Sequence, residues 1–288
     1  MSSELKWDTF VSSQIPAVTE QLPPGVTEMK WSPISATLIS GDRDAVLVDT
    51  FITLEQNSAL TEWVVASGKN LTTIYATHGH GDHFFGVNTI RRSFPNARFV
   101  ATRDAISVMQ RQLSPALLEG YWKARFPGQI DATPAIAKEL NGGVIDLEGE
   151  KLISIPAGHT DTHSTTFLHV PSIGLVVAGD VAYNDVHVHL GESTSDSRKE
   201  WLAALDVIEA LKPSSVVVGH KRPGRADSPA IIEETRQYIR DFDRIAADSR
   251  TAEEVYNRML ALYSDRLNPP VLWSSAQGAS AALIPKNL

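Results

Sequence analysis

Three histidines and one aspartate fall within the run His78-Gly79-His80-Gly81-Asp82-His83. Neutral imidazole and carboxylate are the usual ligands of zinc and its first-row neighbours. The two glycines let the backbone turn sharply, so several side chains can face one point. The loop follows an apolar, strand-like run, Thr73–Ala76, and a helical segment is expected from about Phe84. The arrangement recurs three times downstream. His159 follows Lys151–Pro156 in Ala157-Gly158-His159-Thr160, Asp180 follows Gly174–Gly179, and His220 follows Ser215–Gly219. Each time an apolar strand leads to a glycine and then to a ligand-type side chain, and glycine there permits close approach of the backbone. The candidate ligands are therefore His78, His80, Asp82, His83, His159, Asp180 and His220. That is too many for one tetrahedral ion, and it suits two ions sharing a bridging carboxylate.

In order and spacing, the His78-x-His80-x-Asp82-His83 loop and the turns Gly158-His159-Thr160, Ala178-Gly179-Asp180 and Gly219-His220 resemble the metallo-β-lactamase superfamily. The strand ending at Asp49 (Ala45–Thr50) is similar to the family's N-terminal sheet. The resemblance implies that His78, His80 and His159 hold one metal, that Asp82, His83 and His220 hold a second, and that Asp180 bridges them. It implies two Zn2+ ions, with Mn2+ or Fe2+ as other occupants. A hydroxide shared by the two ions would attack a carbonyl without a covalent intermediate. Asp82 would orient that nucleophile and pass its proton to the leaving group. Tyr183, three residues after Asp180, sharpens the resemblance toward metal-dependent acyl-homoserine lactone lactonases, in which such a tyrosine donates to the substrate carbonyl. A phenol packed under the loop is the other reading of the same residue.

The remaining histidines carry weaker signals. His163 lies four residues after His159, close enough to steady the metal turn through a hydrogen bond. His187 and His189 alternate and so share one face of an extended segment, facing either a pocket or solvent. His169 sits in the apolar run Phe167–Val170 and reads as structural. Lys221, Arg222 and Arg225 either meet an anionic substrate or are solvated loop charges.

The elements that must position these residues are legible as alternating strands and helices. Residues 36–50 read as a hairpin with a polar turn at Gly41–Asp44. Ser197-x-x-Glu200 reads as a capping box opening a helix that Pro213 stops. Ser228-Pro229 and Thr251-x-x-Glu254 open two more helices. Residues 104–141 interrupt the pattern with helical text, with starts expected at Ser114-Pro115 and Thr133-Pro134. Tyr121, Trp122 and Phe126 lie between those starts. This insertion is either a surface piece packing its own aromatics or a pocket wall carrying Trp122. The Pro-, Ser- and Ala-rich tail from Leu267 either wraps the domain or meets a second subunit, leaving a homo-oligomer open. The expectation is one α/β domain over residues 1–288. Its fold is an αββα four-layer sandwich of the metallo-β-lactamase type, with the 104–141 insertion and a helical extension and tail over 226–288.

Composition narrows the function. A net charge of −8 argues against nucleic-acid or anionic-membrane partners, which need a basic face. The absence of cysteine removes disulfides and thiolate ligands and suits a reducing, cytoplasmic setting. No apolar leader precedes the first strand. The expected function is hydrolysis of a small cyclic ester or amide, a lactone or lactam. Alternatives are a thioesterase of the glyoxalase II type, a mononuclear iron persulfide dioxygenase that reuses the first metal site, and a binding module without activity.

Overall fold

The computed structural model describes residues 4–283. Its strands are β1 (Lys6–Val11), β2 (Ile15–Ala17), β3 (Met29–Trp31), β4 (Ser35–Ser40), β5 (Asp44–Val48), β6 (Asn70–Tyr75), β7 (Arg98–Ala101) and β8 (Lys138–Glu139), then β9 (Val144–Leu147), β10 (Glu150–Gly158), β11 (Thr165–Val170), β12 (Leu175–Asn184) and β13 (Ser215–Lys221). The helices are α1 (Leu54–Ala66), α2 (Val87–Ser93), α3 (Arg103–Gln112), α4 (Pro115–Leu117), α5 (Ser195–Ala210), α6 (Ala230–Ala247), α7 (Ala252–Leu262) and α8 (Pro269–Leu283). One sheet runs β1-β4-β5-β6-β7-β8, a second runs β13-β12-β11-β10-β9, and β2-β3 form a separate hairpin.

The strand sequences dictate the layering. Ala45–Val48 and Leu175–Ala178 are apolar at every position, as befits strands covered on both faces. With a period of two, alternate residues then serve different layers. Val46 and Val48 meet Leu175 and Val177 between the two sheets. Ala45 and Leu47 turn outward with Leu60, Ile90 and Met109 of α1, α2 and α3. Val176 and Ala178 turn outward on the other side, with Trp201, Ile239 and Met259 of α5, α6 and α7. The result is the expected αββα sandwich. Among the described residues no helix is long and apolar enough to cross a membrane.

Three local expectations change. The helix after Pro115 is short and passes into a π-helical turn at Leu118–Lys123. The stretch after Thr133 is not helical; it runs to β8, which pairs with β7. The capping box of α5 is Thr194 with Ser197, one turn earlier than Ser197 with Glu200. Thr194 satisfies the exposed backbone N–H of Ser197, so the helix starts where that hydroxyl is available. The tail folds as α8 and packs on α7.

Trp201 ties α5 to the sheet that carries Asp180. It is fully buried, and its Nε1 donates to the Val181 carbonyl at 2.8 Å. Trp201→Ala should lower the unfolding free energy by about 3–5 kcal/mol, through the cavity and the orphaned carbonyl. Urea denaturation checks this, and an unchanged midpoint would show that the layer does not depend on this contact.

Candidate metal centre

Four strand ends deliver polar side chains to one edge of the sandwich. The turn Gly81–His83 after β6 carries Asp82 and His83. Register shifts between β12 and β13, at Val177/Gly179 and Gly179/Tyr183, break the ladder where Asp180 projects. His220 on β13 bridges to Ile34, which ties the two sheets together at this point. Gly219 must lack a side chain, because a Cβ there would collide with the Asp180 carboxylate.

The ligand atoms form three overlapping groups: His78, His80 and Asp161; His78, His83 and Asp180; and Asp82, His83 and His220, each with its ligand atoms within 4.8 Å of one another. Asp161 Oδ2 lies 2.9 Å from His80 Nδ1 and 3.4 Å from His78 Nε2. Asp180 groups with His78 and His83 and lies 3.4 Å from His83 Nε2 and 3.3 Å from His220 Nε2. His78 Nε2, His83 Nε2, Asp161 Oδ2 and Asp180 Oδ1 are all buried without a hydrogen-bond partner. An unmet buried polar atom costs roughly 1–3 kcal/mol. Four of them converging is the signature of a cation site, and the nitrogen and oxygen donor set fits divalent zinc, manganese or iron.

The opposite ring nitrogens are held by the scaffold. His78 Nδ1 is 3.0 Å from Thr77 Oγ1, and His83 Nδ1 is 3.1 Å from Asp49 Oδ2. His220 Nδ1 is 3.1 Å from both Ser32 Oγ and the Pro33 carbonyl. These contacts leave Nε2 of all three rings facing the centre. Asp49 also accepts from Thr77 N and Thr77 Oγ1 at 2.8 and 2.9 Å, and it holds a left-handed φ of 63° to do so. Such a conformation costs a non-glycine residue about 1–3 kcal/mol and persists where the surroundings enforce it.

Charge explains the protonation of the metal-free chain. Burial alone would drive the histidines neutral. The Asp180, Asp82 and Asp49 carboxylates outweigh it at His83 and push its pKa up to about 9. Carboxylates likewise hold His80 and His220 well above the ordinary histidine value, whereas burial prevails at His78 and lowers it. Burial would raise the Asp82, Asp161 and Asp180 carboxyls, but the facing imidazoles hold all three below the usual carboxylate range. A divalent ion binding here takes the place of those protons.

A cavity of about 540 Å³ opens on this centre. His80, Asp82, Asp180 and His220 form its floor. Its walls come from Met29 and Trp31 of the β2–β3 hairpin, from Gln112, Tyr121, Trp122 and Arg125 of the insertion, and from Val271, Trp273 and Gln277 of α8. Trp31 packs on Trp122 at 5.4 Å between ring centroids, and its Nε1 donates to Asp82 Oδ2 at 3.2 Å. One tryptophan thus joins the aromatic wall to the metal floor.

The sequence model of the metallo-β-lactamase superfamily matches residues 29–220. The chain belongs to that superfamily. It is 22% identical to the metallo-beta-lactamase type 2 of Bacteroides fragilis over 213 residues, covering 73% of this chain and 76% of the relative. It is 28% identical to a UPF0173 metal-dependent hydrolase of Saccharolobus solfataricus over 170 residues, covering 58% of this chain and 67% of the relative. Among solved structures, a metallo-beta-lactamase family protein of Thermus thermophilus aligns with a TM-score of 0.63 at 19% identity, over 94% of this chain and 91% of that one. A beta-lactamase domain protein of Burkholderia ambifaria aligns with the same TM-score at 17% identity, over 96% and 87%. At these identities the structural likeness shows the fold alone. The family match and the His/Asp groups make this chain a metal-dependent hydrolase of the superfamily.

Within the superfamily frame, six of the seven expected ligands come together: His78, His80, Asp82, His83, Asp180 and His220. His159 does not join them. It is half-buried, its Nε2 lies 3.0 Å from the Glu192 carbonyl oxygen, and its ring packs tilted on exposed His163 with centroids 3.8 Å apart. Asp161, two residues on, stands at the first group instead. His163 therefore contacts His159 rather than the centre. Tyr183 is buried and lines the cavity, and its hydroxyl donates to Asp180 Oδ2 at 2.8 Å while its ring stacks on His220. Burial and the neighbouring carboxylates raise its pKa well above 10, so the phenol stays a donor.

His187 and His189 both face the cavity, and His189 lies edge-on to His80 at 6.0 Å. Trp122 lines the wall with its Nε1 on Gln112 Oε1 at 2.6 Å. Lys221 is paired with Asp227, and Arg222 and Arg225 with Asp185, so none of the three basic residues lines the cavity. Sequence reasoning misses Trp31, Asp161 and Glu192. Only Asp161 carries a sequence signal, a carboxylate inside the histidine turn. Glu192 sits 3.2 Å from His80 Nε2 and accepts from Thr162 Oγ1 at 2.9 Å.

His187 supplies a pH test. It packs against Tyr238, whose hydroxyl is 2.9 Å from its Nδ1; burial, helped by the Arg266 charge, lowers its pKa to about 3. The unfolded chain takes up this proton near pH 6.5 and the folded chain does not until about pH 3. Stability contributed by neutral His187 is therefore lost as pH falls below 6.5, by up to about 1.4 kcal/mol per pH unit. His187→Gln should flatten the decline between pH 6.5 and 4.5 in chelator-treated protein. Parallel stability curves for wild type and variant would contradict this assignment.

Proposed function

We propose that the protein is a binuclear hydrolase, with zinc as its favoured metal, that opens a compact, partly apolar lactone or lactam. The observation that carries this reading is the cavity whose floor is the candidate ligand cluster and whose walls include Trp31, Tyr121, Trp122 and Trp273. Its volume suits a small organic ligand, and apolar walls with a few polar groups at one end are the usual way to orient one. The His and Asp groups would hold divalent metal, which would supply an acidified water and polarise a carbonyl at neutral pH.

The chain's own residues do the rest. Asp82, held by the Trp31 indole, orients the attacking water and accepts its proton for delivery to the leaving oxygen or nitrogen. Tyr183, which donates to Asp180 at the cavity floor, would exchange that bond for one to the substrate oxygen and stabilise the growing negative charge. Trp31, Tyr121, Trp122 and Trp273 exclude water from the ring face. A thioester or acyclic ester has the same carbonyl but no compact ring for this wall to hold.

Three measurements test the reading. Titration of chelator-treated protein should saturate at two ions; full activity at a single iron would overturn the binuclear hydrolase. A substrate panel of lactones, lactams, aryl esters and thioesters should give its highest kcat/KM among the rings, and a thioester preference would overturn the substrate class. Tyr183→Phe should lower kcat by about 10- to 1000-fold with metal content intact, an unchanged kcat leaving Tyr183 as packing alone.

A further inference from the structure

We infer that Asp161, not His159, completes the first metal group of this chain, giving a set of two histidines and one carboxylate: His78, His80 and Asp161. This deepens the binuclear reading above and rests on it.

The local backbone produces the exchange. The β10–β11 register shifts between Pro156 and Gly158, and Gly158 takes a left-handed φ of 72°. The strand therefore leaves its ladder one residue before His159, and the imidazole turns to the Glu192 carbonyl. A tight turn then closes, with Thr160 N donating to the Thr162 carbonyl at 3.0 Å. This turn carries Asp161 inward, where it is fully buried. Its two oxygens have different duties. Oδ1 accepts from Thr160 Oγ1 at 2.8 Å and from Thr165 Oγ1 at 3.3 Å. Oδ2 accepts nothing from the loop and faces the two imidazoles, 2.9 Å from His80 Nδ1 and 3.4 Å from His78 Nε2. One oxygen locked by neighbouring hydroxyls and the other turned to two candidate ligand imidazoles is how an outer shell orients a ligating carboxylate.

The two candidates exclude each other. For His159 to reach the centre it must leave Glu192 and His163 and enter the space that Asp161 fills. Asp161 would then lose its place opposite His80 and His78, the imidazoles that offset its buried charge. The consequence is chemical. With Asp161 the ligand set carries three carboxylates, Asp82, Asp161 and Asp180, so the first site is harder and one unit more negative than a site of three imidazoles. Carboxylate oxygen shifts relative preference toward Mn2+ and Fe2+.

The test uses bound metal per chain, read by elemental analysis after equilibrium dialysis, and the visible spectrum of the Co2+-loaded full-length protein. Asp161→Asn keeps the shape and one acceptor oxygen but loses the charge. It should lose one of the two ions, or weaken that site by more than about 100-fold, beyond what loss of an outer-shell partner costs. His159→Asn should retain both ions and the wild-type Co2+ spectrum. Should Asp161→Asn prove unstable, Asp161→His supplies a replacement ligand. It should restore two ions while moving Zn2+/Mn2+ competition toward zinc. Loss of an ion or a changed spectrum in His159→Asn overturns the assignment, as does full metal retention in Asp161→Asn. Wild-type protein that binds two ions but hydrolyses no substrate in the panel would sink the hydrolase reading and leave this one standing.

Discussion

The structure depends on keeping a crowd of buried polar atoms together at one point. Four imidazoles and three carboxylates meet at the edge of the sandwich, several with their inward atoms unpartnered. Facing carboxylates favour the charged forms of His80, His83 and His220, while burial keeps His78 on the neutral side, so the cluster combines compensating ions with a neutral imidazole in a dry place. Such a cluster survives only where the surrounding frame is stiff enough to refuse relaxation. The frame is stiff because the strands behind it are apolar on both faces and sealed by helices on each side.

That stiffness is transmitted by a few contacts. Asp49 adopts a left-handed backbone conformation to grip Thr77 and His83, joining the end of β5 to the metal loop. Ser32 and the Pro33 carbonyl hold His220 from the opposite sheet. Gly79 lets the loop lie against α3, where a Cβ would stand 2.5 Å from the Val108 Cβ. The insertion that forms the cavity wall is therefore packed directly against the backbone of the ligand loop. Substrate wall and metal floor cannot move independently, which is the condition for holding a reacting carbonyl in register.

The cavity also explains why three separated segments lie outside the strand pattern. The β2–β3 hairpin, the π-helical turn of the insertion and α8 share no sequence feature, yet each contributes an aromatic ring to one wall. A π-helical turn is a recurrent device for re-aiming side chains at functional sites. Here it carries Trp122 against Trp31, with Tyr121 edge-on to Trp122.

The sequence by itself determined the layers and six of the side chains that converge at the candidate metal centre. Apolar runs covered on both faces have only one home in a sandwich, and histidine–glycine loops at strand ends have only one chemistry that rewards them. It also determined the helix starts at Ser114-Pro115 and Thr251, since a proline in the first turn or a hydroxyl before it answers a local backbone need. Only the tertiary structure places Asp161, and not His159, beside His78 and His80. Which side of a turn a residue faces depends on a register shift in β10 and on the hydroxyls of Thr160 and Thr165, a combination that no spacing encodes. It likewise decided the roles of Trp31 and Glu192, each of which meets its partner across a long sequence separation. Periodicity reports what a residue's neighbours in the chain require. The metal centre and its cavity are made by residues whose neighbours in space come from other elements.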